Sequence, residues 1–509
     1  MKVTRRSVLG AGMMGAAGAA FGMPAIKASS SQRGRRAKNI IFMVADGMAD
    51  QVPAMASQLQ MLMDGRPGYW ETLMGQDYAV NGLQDTGSLN SIVTDSSAAA
   101  STWGSGRRIW NGQVNMFPDG TKLRTLTQIL SENKVRCGLV TTTRITHATP
   151  SGFSVNCIQR DLEAQIAEMH LESGVDVLMG GGDSMFSASR RSDKKDLYAD
   201  FEKAGFKVAK DKTALEAWDG RGKFLGIFSS SHLPYTVDRR NNAELDAKVP
   251  TLAAMTKKAI AALKDSPNGF LLQVEGGKVD HGGHANDFAA MIYDQIEFEE
   301  AVKAAVDFAL EDGDTLVIIT ADHATGGPSL NGAGHEYFDS TAGLLTAANM
   351  TASYDVLARD FPNATTPASM QDLIKAKLGI GLTTAQAQGI IDARAGKSQF
   401  PLDSFRGGFS SNLAAILGNH SKVQWTSGNH TSEWVLVTAV GPGSEACHGV
   451  HKNTSFFDLI LAQKGLKHEN PTMDFETAKR HYDKLKEKAD SEMVAYYSAP
   501  DDLGMDHGA

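Results

Sequence analysis

A chain of 509 residues with 42% hydrophobic and 21% charged side chains can bury a large core, as one domain with insertions or as two to three ordinary domains. A formal net charge of −8 argues against nucleic acid as a partner, because phosphate-backbone binding needs a clustered basic face. No internal window reaches the apolar run of about 18 residues that a membrane span requires.

In chain order, residues 1–28 come first as a leader with a basic start, a Gly/Ala-rich apolar run and no acidic residue. Its Arg5-Arg6 pair, followed by Ser7, Val8 and Leu9, resembles the twin-arginine export signal of bacteria. The expectation is a periplasmic or secreted protein of residues 29–509, without stable membrane association after export; a disordered or anchoring N-terminus is the alternative. Apolar runs follow at 39–46, 135–143, 175–182, 224–229, 269–277, 314–323 and 433–442, most of them ending in Gly, Asp, His or Thr. Such runs suit central strands covered on both faces. Helical patterns lie between them, for instance at 252–264 and 295–312, so the expected fold is α/β with a largely parallel sheet. The stretch 331–425 breaks this rhythm and reads as an inserted helix-and-loop cap, and the charged tail after 473 reads as a surface helix. Cys137, Cys157 and Cys447 have no metal-site spacing, and at most one disulfide could join two of them.

In an open α/β sheet, ligands bind outside the carboxyl ends of the strands. At those ends lie Asp46, then Glu275 with Asp280, His281 and His284 beyond it, then Asp322-His323; His430 precedes the last run. A single strand-terminal Asp is commonly a helix N-cap, and a lone His is commonly a hydrogen-bonded structural residue. Several carboxylates and histidines together, without a thiolate, suit catalytic Zn²⁺, with Mg²⁺ where only oxygens meet. The stretch VTDSSAAASTWGSG (93–106) then places Asp95 and two serines at a helix start, where backbone N–H groups and the helix dipole favour an anion. A serine beside zinc needs no histidine base to become a nucleophile. The combination asks for a phosphate or sulfate ester.

These motifs resemble those of bacterial alkaline phosphatases of the two-zinc, one-magnesium, phosphoserine-forming type, in order over nearly the whole mature chain. The family's Asp-Ser-small-residue-Trp motif matches Asp95-Ser96 through Trp103, which makes Ser96 the nucleophile and leaves Ser97 on a position usually held by alanine. The resemblance implies Asp46, Asp322 and His323 as ligands of one zinc and Asp280, His284 and His430 as ligands of the other. It assigns magnesium to Asp46, Thr149 and Glu275, phosphate binding to Arg160, and orientation of that arginine to Asp95. Two positions depart from the enterobacterial pattern: His147 replaces an aspartate and His281 a lysine. From these follow the expectations of a weakened magnesium site and faster phosphate release. Ser229 stands where vertebrate members place a calcium carboxylate, so no calcium site is expected. The implied reaction is hydrolysis of small phosphomonoesters with broad specificity, through two in-line displacements. A homodimer and a monomer both occur among family members. The alternatives are a phosphodiesterase of the same superfamily and an exported metal- or phosphate-binding protein without turnover; a sulfatase is disfavoured because its Cys-x-Pro-x-Arg motif is missing around 95–100.

Overall fold

Ten strands form one sheet in the computed structural model, which describes residues 34–397 and 409–497. The leader read over 1–28 lies outside the described residues. In chain order the strands are β1 Asn39–Val44, β2 Ala79–Gln84, β3 Arg136–Arg144, β4 Val177–Gly181, β5 Phe206–Ala209, β6 Lys223–Ile227, β7 Phe270–Glu275 and β8 Thr315–Thr320. Four two-residue strands, β9 Ala324–Thr325, β10 Ser329–Leu330, β11 Val423–Gln424 and β12 His430–Thr431, make two small ribbons, and β13 Val435–Val440 and β14 Gly449–His451 complete the main sheet. Its order is β14-β2-β13-β8-β1-β7-β3-β4-β6-β5.

The continuous apolar runs have the physical cause expected of them. Every residue of β1, β7 and β8 is buried, and successive side chains feed opposite faces of the sheet. Ile41, Met43, Leu272, Val274, Val317 and Ile319 pack against the helices Gln51–Asp64, Leu252–Leu263 and Phe288–Asp312. Ile40, Phe42, Val44, Leu271, Leu316 and Ile318 pack against Ser96–Ser105, Leu126–Glu132 and Ser455–Gln463. Phe42 sits among Trp103, Phe153 and Phe456, with ring centroids 5.0, 5.5 and 5.9 Å away. Truncating it to alanine would cost about 3–5 kcal/mol.

The sheet is α/β and mostly parallel, but β13 runs antiparallel to both β8 and β2. The 433–442 run therefore does not join the parallel set as its apolar character suggested. The cause is local: β12 pairs with β9 (His430↔Thr325) beyond the carboxyl end of β8, so the chain entering β13 starts at that end and must run back. Strands β2, β5 and β14 lack a continuous apolar run; Ala79–Gln84 is interrupted by Asn81 and Gly82, and only Gln84 in it is fully buried. The helix expected at 295–312 begins earlier, at Phe288, because Asp287 caps it by accepting the Ala290 N–H.

Within the 331–425 region lie the helices Phe338–Leu344, Tyr354–Asp360, Pro367–Leu378, Thr384–Arg394 and Phe409–Ser421. Their buried residues, among them Leu357, Met370, Ile374, Ile390, Leu413 and Leu417, continue the hydrophobic cluster of one sheet face without a break. The tail is a helix from Phe475 to Tyr497, with Phe475 and Tyr482 stacked on Trp110. All three cysteines are buried and none forms a disulfide. Among the described residues no helix is long and apolar enough to cross a membrane.

Candidate active site

Three parallel strands deliver the first residues. Asp46 follows β1, Glu275 closes β7, and Asp322-His323 follows β8, all at the carboxyl edge and all buried. Gly47 permits the close approach of the next element: its φ is +68°, and a Cβ there would lie 2.4 Å from Oδ1 of Asp280. Its N–H donates to Asp322 Oδ1 at 3.0 Å. Beyond β7 the chain turns into the short helix Lys278–His284, so Asp280 and His284, four residues apart, share one face. His430 arrives from β12.

Ser96 opens the helix Ser96–Ser105, as the DSSAAAS pattern predicts, with Asp95 as N-cap accepting the Ala98 N–H at 2.8 Å. Ser96 Oγ lies 3.1 Å from Nε2 of His323. The rest of Asp95 is equally engaged: its Oδ2 accepts from Ser97 Oγ at 2.8 Å, from Gly112 N–H at 2.8 Å and from Arg160 Nη1 at 3.4 Å. Ser97 is thus fully buried and holds the carboxylate that steers Arg160, a role its position beside Ser96 does not reveal. The other arm of Arg160 reaches His147, with Nη2 and Nε2 3.1 Å apart.

The ligand candidates converge. Asp280, His323 and His430 form one group whose donor atoms all lie within 4.8 Å, Asp46, Asp322 and His323 a second, and Asp46, His147 and Glu275 a third. His284 joins the first group, with its Nε2 3.0 Å from His430 Nε2 and 3.4 Å from Asp280 Oδ2. Thr149 Oγ1 stands 3.5 Å from Asp46 Oδ2.

Two observations test whether these residues fit cations. Nδ1 of His284 lies 2.7 Å from the Gly428 carbonyl, and Nδ1 of His430 lies 2.8 Å from the Thr94 carbonyl. A carbonyl only accepts, so both rings carry their proton on Nδ1 and, when neutral, turn bare Nε2 lone pairs toward each other. Lone pairs 3.0 Å apart are stable only with positive charge between them. In addition, Asp46 Oδ1, Asp322 Oδ2, Glu275 Oε1 and His147 Nδ1 are buried without a hydrogen-bond partner. Neutral amides such as Gln113 and Gln273 are also buried without partners, but among the described residues the only carboxylates so placed are these three, and an unmatched buried charge is the costlier case. The donor set fits divalent cations.

The electrostatics agree. Burial, reinforced by Asp322, Asp280 and Glu275, pushes the Asp46 carboxyl well above its usual range, and burial raises Glu275 to about 7. Burial would also raise Asp280, but His284, His430 and His323 hold it well below the usual carboxylate range. Burial next to His323 and His284 lowers His430 to about 3. Too many carboxylates share too few positive charges, which is the state a cation relieves.

Some neighbours carry no sequence signal. Thr325 Oγ1 donates to Asp280 Oδ1 at 2.6 Å, and Thr141 Oγ1 donates to Glu275 Oε2. His232 accepts the Arg144 N–H on Nδ1 at 3.2 Å, and its ring meets those of His281 and His147 edge-on, 4.4 and 5.3 Å away. His281 is paired with Lys278, whose Nζ lies 3.1 Å from its Nδ1. A lysine ammonium thus stands beside His281 from one turn earlier on the same helix, a spacing visible in the sequence only once 278–284 is known to be helical.

Residues 37–466 match the alkaline phosphatase family. The chain is 32% identical to alkaline phosphatase 3 of Bacillus subtilis, over 85% of this chain and 90% of that protein. Its structure superposes on the crystal structure of Thermus thermophilus alkaline phosphatase with a TM-score of 0.83 and 33% identity, covering 89% of this chain and 96% of the other. The cold-active alkaline phosphatase of a Shewanella species gives a TM-score of 0.70 at 26% identity, with 84% and 100% covered. By sequence and fold, the chain belongs to the alkaline phosphatase family and is a phosphatase.

Proposed function

We propose that the chain hydrolyses phosphomonoesters of broad structure through a covalent phosphoseryl intermediate on Ser96. The observation that carries this reading is the convergence of His284 and His430, Nε2 to Nε2 at 3.0 Å with each Nδ1 on a backbone carbonyl, together with a serine at a helix N-terminus 3.1 Å from His323. Asp46, Asp322 and His323 would hold one zinc ion and Asp280, His284 and His430 the other, while Asp46, Thr149 and Glu275 would hold magnesium. Bound there, the cations supply a lowered hydroxyl pKa and neutralisation of phosphoryl and leaving-group charge.

The protein's own groups account for the rest. Ser96 Oγ, losing its proton, forms the new bond to phosphorus as the bond from phosphorus to the ester oxygen breaks on the opposite side and that oxygen leaves as the alcohol, taking up a proton. Water then attacks the phosphoserine, the Oγ–phosphorus bond breaks, and inorganic phosphate leaves with the Ser96 hydroxyl restored. Arg160, fixed at both arms by Asp95 and His147, presents a planar guanidinium that suits two non-bridging oxygens. Burial opposes the charge of Arg160, but Asp95 raises its pKa, so the cation persists throughout. The Asp95 cap and Ser97 keep the nucleophile and the arginine in one register.

Acid quenching of enzyme mixed with a labelled phosphomonoester should leave phosphate on Ser96, and Ser96→Ala should carry none. Turnover retained by Ser96→Ala would overturn the assignment. A diester hydrolysed faster than the monoester would favour the phosphodiesterase reading. The Arg5-Arg6 leader supports twin-arginine export, and replacing both arginines by lysine should keep the protein in the cytoplasm. The 331–425 region we read as a cap, and a homodimer is an outcome that sedimentation of the purified protein decides.

A further inference from the structure

His284 and His430 come from segments far apart in the chain, and the ring geometry above exists only if those segments are held in register. Asn286 stands at their junction. It is 1% exposed and adopts φ +51°, a left-handed conformation that asparagine tolerates better than most residues. Its Nδ2 donates to the Gly283 carbonyl at 2.9 Å, closing the end of the helix that carries His284. The same amide donates to the Ser427 carbonyl at 2.7 Å, three residues before His430. Its Oδ1 accepts from Ser411 Oγ at 3.0 Å, on the helix Phe409–Ser421 of the inserted region. One buried amide therefore touches the His284 helix, the His430 segment and the insertion. Gly428 adds a second link between the first two, since its carbonyl accepts from His284 Nδ1.

We propose that Asn286 is a positioning residue that locks the His284 and His430 rings in their facing arrangement and couples that arrangement to the inserted helices through Ser411. The inference rests on the metal reading of the two histidines. A short amide is suited to the task because it donates two hydrogen bonds and accepts another from one rigid plane. Partners one shell beyond metal ligands typically change metal affinity about 10–100-fold when removed.

Asn286→Gly tests this, because glycine keeps the positive φ and deletes only the amide. In the full-length, zinc-loaded protein, a chromophoric chelator should remove one zinc equivalent about 10–100-fold faster than from wild type, with the other equivalent unchanged. Ser411→Ala should speed loss of the same equivalent by a smaller factor. In metal-free protein, amide hydrogen exchange at 427–431 should quicken in Asn286→Gly while that of 45–49 stays as in wild type. Equal loosening of both zinc equivalents, or unchanged exchange at 427–431, would overturn the proposal; an inert Ser411→Ala would remove the insertion from it. A wild type that takes up no zinc defeats the reading of function, whereas the exchange measurement tests the tether independently.

Discussion

Two parts of this molecule bury many carboxylates, and they do so in opposite ways. Along the long helix Phe288–Asp312 and its flanks, each acid meets donors. Asp287 accepts the Tyr354 and Ala290 N–H groups, Asp294 the Thr236 N–H and hydroxyl, and Glu299 the Trp70 N–H and the Gln295 amide. Asp238, on the neighbouring helix, accepts both polar hydrogens of Ser353. At the carboxyl edge of the sheet, by contrast, Asp46, Asp322 and Glu275 each keep a buried oxygen with no donor. Burial raises acids in both places, Asp287 to about 7 and Asp294 to about 8 as well as Glu275 to about 7. A raised acid is thus not by itself the mark of a site here; the unmatched carboxylate oxygen is. The first cluster fastens helices together, and the second holds the unmatched oxygens that the proposed cations would meet.

That contrast can be broken by experiment, and the largest effect expected is at Ser96. Ser96→Ala should lower kcat by about a thousandfold or more, while Asp294→Asn, in the fastening cluster, should leave kcat within about twofold. Steady-state phosphomonoester kinetics decide it, and a large kcat loss in Asp294→Asn would erase the distinction. Next comes chelation. Removing divalent ions should abolish turnover and lower Tm, both restored by zinc, because cations bind only the folded arrangement. A Tm indifferent to chelator would place the unmatched oxygens outside any metal site. After zinc reloading, added magnesium should raise kcat several-fold further; no response would remove the third cation from the scheme.

A pH effect should separate the clusters further. The Asp294 carboxyl is raised from 3.8 to about 8 in the fold, so the folded state binds its proton more tightly than the unfolded chain does. Stability from this group is then full below the unfolded pKa and is lost as pH rises through the window up to about 8. Asp294→Asn has no such loss, so its Tm should gain on wild type by about a few degrees between pH 4 and 8. A variant whose Tm falls further behind wild type as pH rises would contradict the sign. The smallest effect belongs to Ser97→Ala. Losing one of several hydrogen bonds to Asp95 should raise KM about two- to fivefold with little change in kcat.

The part of the site legible in the sequence is the part carried by single strands. Asp46, Glu275 and Asp322 stand where continuous apolar runs stop, and the DSSAAAS pattern announces the helix start and its serines. What escaped is set by contacts between distant segments. The reversal of β13 depends on β12 pairing with β9, and β2 is hidden because a half-exposed strand with Asn81 and Gly82 lacks an apolar pattern. Ser97 looks like a spare serine until Gly112 and Arg160 are seen sharing its carboxylate. Lys278, His232 and Asn286 have the same character: each matters for what folding places beside it.

The backward run of β13 also bears on when the enzyme can come into being. Every other residue assigned here to the chemistry is in place by His323, yet His430 enters only with the segment that leads into that returning strand. Because a chain is synthesised from its N-terminus, a nascent or shortened product can fold much of the sheet and still lack the last imidazole. The polypeptide therefore gains a complete centre late, after the strand that closes the antiparallel side has docked. Fragments ending before it should be inert however well they fold.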